Sequence, residues 1–188
     1  GCLAGRVYSA AVIWPKEFEN PDEHPILKDS KRLSKKRREI LKDYIEENAI
    51  DYSVGWANER EVDKLNIQNA TYLAMHRAIK GLNVNVEFLA IDGDKFKPFY
   101  YKGEDDMVPF KCIVDGDTKY APIACASILA KVYHDAYIEK LCEENKELNE
   151  RYGWLTNMCY GTSHHIKGIL KYGITPYHRK TFGICKNY

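Results

Sequence analysis

The residues best suited to chemistry begin with an aspartate that closes an apolar run. Phe88-Leu89-Ala90-Ile91 leads directly into Asp92-Gly93-Asp94. A short apolar run bounded by a turn signal predicts a buried strand. Asp92 then falls at the carboxyl end of that strand, where open α/β sheets place their sites. A lone carboxylate there needs a partner, a metal or solvent. One reading makes Asp92 a ligand of a divalent metal; the other makes it a turn-forming Asp before Gly93. Asp135 is the second acid. It shares a helical face with Ala124, Ile128 and Lys131 at steps of three and four. On that small, apolar face it either points toward what the face covers, sharing a cation with Asp92, or begins the charged, exposed half of the helix. Oxygen ligands without Cys or His favour Mg²⁺ or Mn²⁺ over zinc.

Two further clusters suit a polyanion. Lys31-Arg32 with Lys35, Lys36, Arg37 and Arg38 surrounds a helix start, beside Ser30 and Ser34. Hydroxyls, backbone N–H groups and cations converging there suit a phosphate, although a solvated helix face has the same composition. Asn157-Met158-Cys159-Tyr160-Gly161-Thr162, followed by His164 and His165, sets a tyrosine beside a flexible glycine. Tyr160 either stacks on a sugar or base or packs in a turn with its hydroxyl bonded. His178-Arg179 offers one more possible polyanion contact. No Ser/His/Asp ordering, glycine-rich phosphate loop or nucleotide fingerprint is present.

The elements that must position these groups alternate between strand and helix. Strands are expected over Val7–Trp14, Tyr52–Trp56, Phe88–Asp92 and Val108–Val114. The helices expected are Lys35–Ala49, capped by Ser34, Glu59–Asn66, opened by an Asn58/Glu61 capping box, Gln68–Leu82 and Ala121–Asn145. Thr162-Ser163 and Thr175-Pro176 are expected helix starts in a C-terminal region of helical pieces and loops. This is an α/β pattern, with one domain over 1–188: a core to about residue 145, then a helical extension over about 146–188.

Bulk composition narrows the class without naming a partner. The 188 residues include 28 basic and 27 acidic side chains, so any affinity for a polyanion must come from charge placement. The six cysteines are scattered without a Cys-x-x-Cys pair, several inside apolar runs, which fits a reduced, cytoplasmic protein without a zinc site or disulfide framework. No apolar stretch nears the roughly 20 residues that span a bilayer, and neither a signal peptide nor a membrane partner is expected. The sequence opens on Gly1 rather than Met, which fits a missing upstream segment.

Taken in order, these motifs resemble the type 2 ribonuclease H family, ribonuclease HII, along nearly the whole chain. Gly1-Cys2-Leu3-Ala4-Gly5 is similar to the end of the family's Asp-Glu-Ala-Gly-Arg-Gly motif and its continuation. Asp29-Ser30-Lys31-Arg32-Leu33-Ser34 resembles Asp-Ser-Lys-Lys-Leu-Ser, and Ile91-Asp92-Gly93 the strand with the third catalytic acid. Gly116-Asp117 and Ile123 to Val132 with Asp135 resemble the helix bearing the fourth. Tyr160-Gly161-Thr162, His165 and His178-Arg179 are similar to the C-terminal motifs.

The resemblance implies an RNase H-like fold, a mixed β-sheet flanked by helices with a C-terminal helical extension, its first strand largely missing here. It implies a monomeric endonuclease that hydrolyses the RNA strand of RNA–DNA hybrids and cuts at single ribonucleotides in duplex DNA, using Mn²⁺ or Mg²⁺, in DNA replication and repair. Asp92 and Asp135 become the catalytic and metal-ligating acids. Gly1, Ser30, Lys31, Lys131, Tyr160 and Thr162 become substrate contacts, with Tyr160 on the ribonucleotide's sugar. The family's first two acids precede Gly-Arg-Gly and so would lie before residue 1. Asp115 replaces a usual Lys, Met158-Cys159 a usual Lys-Gly, His134 a usual Arg and Arg6 a common Pro. These departures leave open an alternative: a non-catalytic, degenerate nucleic-acid-binding relative.

Overall fold

The structure is a computed structural model that describes residues 1–15, 33–102 and 105–188. Its strands are β1 (Val7–Ile13), β2 (Asp51–Ala57), β3 (Leu89–Asp92) and β4 (Phe110–Ile113). The helices are α1 (Lys35–Asn48), α2 (Glu59–Leu65), α3 (Ile67–Lys80), α4 (Ala121–Glu144), α5 (Lys146–Tyr152), α6 (Trp154–Asn157) and α7 (Ser163–Tyr172). Short 3₁₀ turns occupy Gly116–Thr118 and Gly183–Asn187. The alternation is the α/β pattern expected. Among the described residues the strands form two pairs, β1 with β2 and β3 with β4.

The residues group into two compact units: Gly1–Val7, Ala57–Thr71 and Tyr133–Tyr188 form the first; Tyr8–Trp56 and Tyr72–Val132 form the second. In the second unit β3 and β4 run parallel, with Leu89 opposite Phe110 and Asp92 opposite Ile113. Leu89 and Ile91 are buried with Ile79, Phe99 and Val108, while Ala90 and Asp92 face outward. The strand is buried on one face only, and Phe88 lies exposed before it, where a buried strand over Phe88–Asp92 was expected. Gly55 lets α3 lie directly on β2: a Cβ there would sit 2.2 Å from the Ala74 carbonyl oxygen.

The first unit is cored by Ile138, Leu148, Tyr152, Trp154, Cys159 and Ile169. Its helices start where local capping rules put them. Asn58 and Glu61 close a reciprocal capping box on α2, and Thr162 accepts from the His165 N–H to cap α7. Thr175-Pro176, by contrast, starts no helix. The Thr175 hydroxyl and N–H both meet His178 Nδ1 at 2.9 Å, closing a turn, and His178 then bridges to Ala4. Five of the six cysteines are buried, as small hydrophobes.

Candidate active site and the residues that hold it

Asp92 ends β3 with its side chain exposed and one oxygen fixed. Its Oδ1 accepts from the Gly116 backbone N–H at 2.9 Å. Gly116 has no room for a side chain: a Cβ would stand 2.8 Å from Ile123 Cδ1 and 3.3 Å from that same carboxylate oxygen. Gly93 turns the chain at φ +106° and donates to the Ile113 carbonyl at 2.9 Å. Asp92 thus begins a turn and also presents an oriented carboxylate. Asp94 is exposed in the bend, and Asp117 is buried in the 3₁₀ turn.

Asp135 lies in the first unit, on α4, and is only 5% exposed. It therefore does not begin an exposed charged half of the helix. Its Oδ1 is 3.0 Å from Nδ1 of His134, the residue standing where the family usually has Arg. Burial pulls the His134 pKa down, but hydrogen bonds to Asp135 and Cys2 outweigh it and hold the ring above its ordinary value. A buried carboxylate is thereby matched to a group that can be cationic. Among the described residues no three His, Cys, Asp or Glu side chains gather as a metal-ion site. The described acids do not fit a complete metal centre by themselves.

The clearest convergence is around Tyr160. Gly1, Tyr160 and Thr162 line one cavity of about 410 Å³, together with Leu3, Ile166 and Ile184. Tyr160 is 49% exposed. The N-terminal segment reaches it by an antiparallel bridge from Cys2 and a 2.8 Å bond from Leu3 N–H to the Cys159 carbonyl. The turn beneath is built on Asn157, whose amide donates to the Tyr152 carbonyl at 2.7 Å and accepts from Cys159 N–H at 3.0 Å. Met158 and Cys159 both take left-handed conformations, φ +45° and +65°. A non-glycine residue there costs about 1–2 kcal/mol, which explains why glycine suits the position Cys159 occupies.

His178-Arg179 is not an outward polyanion contact. Arg179 is 4% exposed and spends its guanidinium on three backbone carbonyls: Gly5 at 3.0 Å, Cys2 at 3.1 Å and Arg6 at 3.2 Å. The planar fork suits such a set of acceptors. Asp63 on α2 anchors the next residues, accepting from Lys180 N–H at 2.9 Å and Thr181 N–H at 2.8 Å. The C-terminal motif is thus a clamp on the N-terminal segment that carries Gly1. Sequence reasoning missed Asp63, which looked like one more acid on a short helix. Lys131 is half-buried on the part of α4 belonging to the second unit. Ser30 and Lys31 lie outside the described residues.

The element order and the two paired strand sets match a known architecture. The crystal structure of ribonuclease H2 from Pyrococcus horikoshii OT3 superposes with a TM-score of 0.76, covering 100% of this chain and 91% of that one at 22% identity. Bst-RNase HIII, solved in complex with Mn²⁺, gives 0.67 at 17% identity over 99% of this chain and 65% of its own. The fold is therefore RNase H-like, mixed α/β. The model of the family described as ribonuclease HII matches residues 1–185. The ribonuclease HII of Christiangramia forsetii is 46% identical over 182 residues, 97% of this chain and 85% of that protein. The chain belongs to the ribonuclease HII family, whose members are hydrolases of the ribonuclease H type.

Proposed function

We propose that this protein is an endonuclease that hydrolyses the RNA strand of RNA–DNA hybrids and cuts duplex DNA at single embedded ribonucleotides. The observation that carries the reading is the meeting of Gly1, Tyr160 and Thr162 around one cavity, with Tyr160 half-exposed beside it. An aromatic ring beside backbone amides and a hydroxyl suits the sugar of a ribonucleotide, whose 2′-hydroxyl both donates and accepts. Asp92 and Asp135 are the proposed catalytic, metal-ligating acids, with Mn²⁺ or Mg²⁺ as cofactor. Their support is the motif match, their all-oxygen chemistry, and the Mn²⁺ held by the similarly folded ribonuclease HIII. Lys131 is proposed as a substrate contact on the motif it shares with Asp135, and Ser30 and Lys31 on the Asp29–Ser34 motif.

The test uses duplex DNA with one internal ribonucleotide and Mn²⁺. The chain from Gly1 is compared with one carrying the family's Asp-Glu-Ala-Gly-Arg ahead of it. Cleavage leaving 5′-phosphate and 3′-hydroxyl ends is expected only from the longer form, and Asp92→Asn should abolish it. Cleavage surviving that substitution would remove Asp92 from the reaction. Tight binding by both forms without any cleavage would favour the non-catalytic relative.

A further inference from the structure

Behind the Tyr160 turn lies a chain of buried hydrogen bonds that the reading above does not use. His165 on α7 is fully buried and His178 is 1% exposed. Trp154 Nε1, which can only donate, lies 3.1 Å from His165 Nε2. The Thr175 backbone N–H, also only a donor, lies 2.9 Å from His178 Nδ1. These two donors assign both tautomers: His165 carries its proton on Nδ1 and His178 on Nε2. The rings meet Nε2 to Nε2 at 3.1 Å, so His178 donates to the same lone pair of His165 that Trp154 uses. The remaining proton, on His165 Nδ1, faces the Tyr160 carbonyl at 3.0 Å. That carbonyl also accepts from Thr162 N–H at 2.8 Å.

From this geometry we infer that His165 is a positioning residue for Tyr160, its donor aimed by Trp154 and His178, so that the pair sets how Tyr160 meets a ribonucleotide's sugar. The inference rests on the reading of Tyr160 as the sugar contact. A single orientation of His165 satisfies all of its partners. Turning the ring over would set Trp154 N–H against the Cε1–H and the Tyr160 carbonyl against the Cδ2–H. The opposite tautomer would set Trp154 N–H against an N–H and leave the carbonyl without its side-chain donor. Both outcomes are costly in a buried site. The cavity wall at Tyr160 therefore inherits its geometry from residues that line none of it.

Two substitutions at His165 separate this role from simple packing. Asn places an amide N–H near the position of Nδ1 and keeps the bond to Tyr160, while losing the acceptor for Trp154 and His178. Gln places an acceptor near Nε2 and keeps the core bonds, while losing the donor to Tyr160. With His165→Gln, amide hydrogen exchange at Thr162, whose N–H bonds the Tyr160 carbonyl, should speed up about tenfold, the loss of one buried hydrogen bond. The preference for duplex DNA carrying one ribonucleotide over all-DNA duplex, read by fluorescence anisotropy in EDTA, should fall to that of Tyr160→Ala. His165→Asn should leave both readouts within about threefold of the parent. Unchanged exchange in the Gln variant, or equal acceleration in both, would overturn the inference. The expected exchange pattern with a preference that even Tyr160→Ala leaves intact would support the hold on Tyr160 and overturn the role given to Tyr160 itself.

Discussion

Acid should unfold the first unit through His178. Burial, reinforced by neighbouring His165, pushes the His178 pKa from its ordinary 6.5 down to about 3. The folded ring therefore refuses a proton that the unfolded chain accepts. Between about pH 6.5 and 3 the unfolded state holds more protons, so the stability this neutral ring contributes is complete above 6.5 and falls as pH drops through that window. At pH 4.5 the gap from 6.5 is 6.5 − 4.5, two pH units, and at about 1.4 kcal/mol per unit the loss is about 3 kcal/mol. His165, also lowered by burial, acts in the same direction. Glu59, raised by burial, acts in the opposite one, since acid relieves its buried charge. Tyr152 from α5 and His164 from α7 also face the pair. The His178 share is isolated by comparing the parent with His178→Gln, which cannot titrate but retains an amide donor toward His165. Urea unfolding at pH 7.5 and pH 4.5 should show the parent losing about 3 kcal/mol more than the variant. Equal losses in the two proteins would refute the argument, because the buried ring would then carry no differential proton affinity.

Two packing contacts give sharper mutational tests. Arg179→Ala removes the guanidinium's bonds to three backbone carbonyls and should destabilise by about 3–5 kcal/mol in urea unfolding. Arg179→Lys should recover less than half of that, because an ammonium cannot reproduce the fork; full recovery would show that charge alone matters. Gly168→Ala would raise helix propensity at an interior position of α7, worth about 1 kcal/mol in isolation. The new Cβ, however, would stand 2.2 Å from the Arg151 carbonyl oxygen and 2.9 Å from Tyr152 Cδ1, so α7 must move off α5. A net loss of about 1–3 kcal/mol in thermal or urea unfolding is expected, and a gain would show that the contact is soft.

Much of this protein was legible in its sequence, because much of it is local. Ser34 caps α1, Asn58 and Glu61 box the start of α2, and Thr162 caps α7, each bond spanning three residues. The turn at Asp92-Gly93 follows from an acid and a glycine after an apolar run, and the order of motifs along the chain was enough to place the family. Such rules need only near neighbours, and the sequence lists those.

What only the tertiary structure decided is which polar groups face inward. Arg179 reaches Gly5, Cys2 and Arg6 across more than 170 residues of chain, and nothing local marks it as a clamp rather than a phosphate ligand. Thr175 has the composition of a helix start, yet its hydroxyl goes to His178, whose backbone pairs with Ala4. The sequence left Asp135 either facing inward from its helix or opening a charged helix surface, and the fold buries it against His134. A buried polar group must find a partner, and that partner comes from whichever distant segment the fold brings near. Sequence determined the elements, the motif order and the candidate acids. The fold alone made Gly1, Tyr160 and Thr162 neighbours, because their meeting depends on the N-terminal segment being pinned against the C-terminal turn.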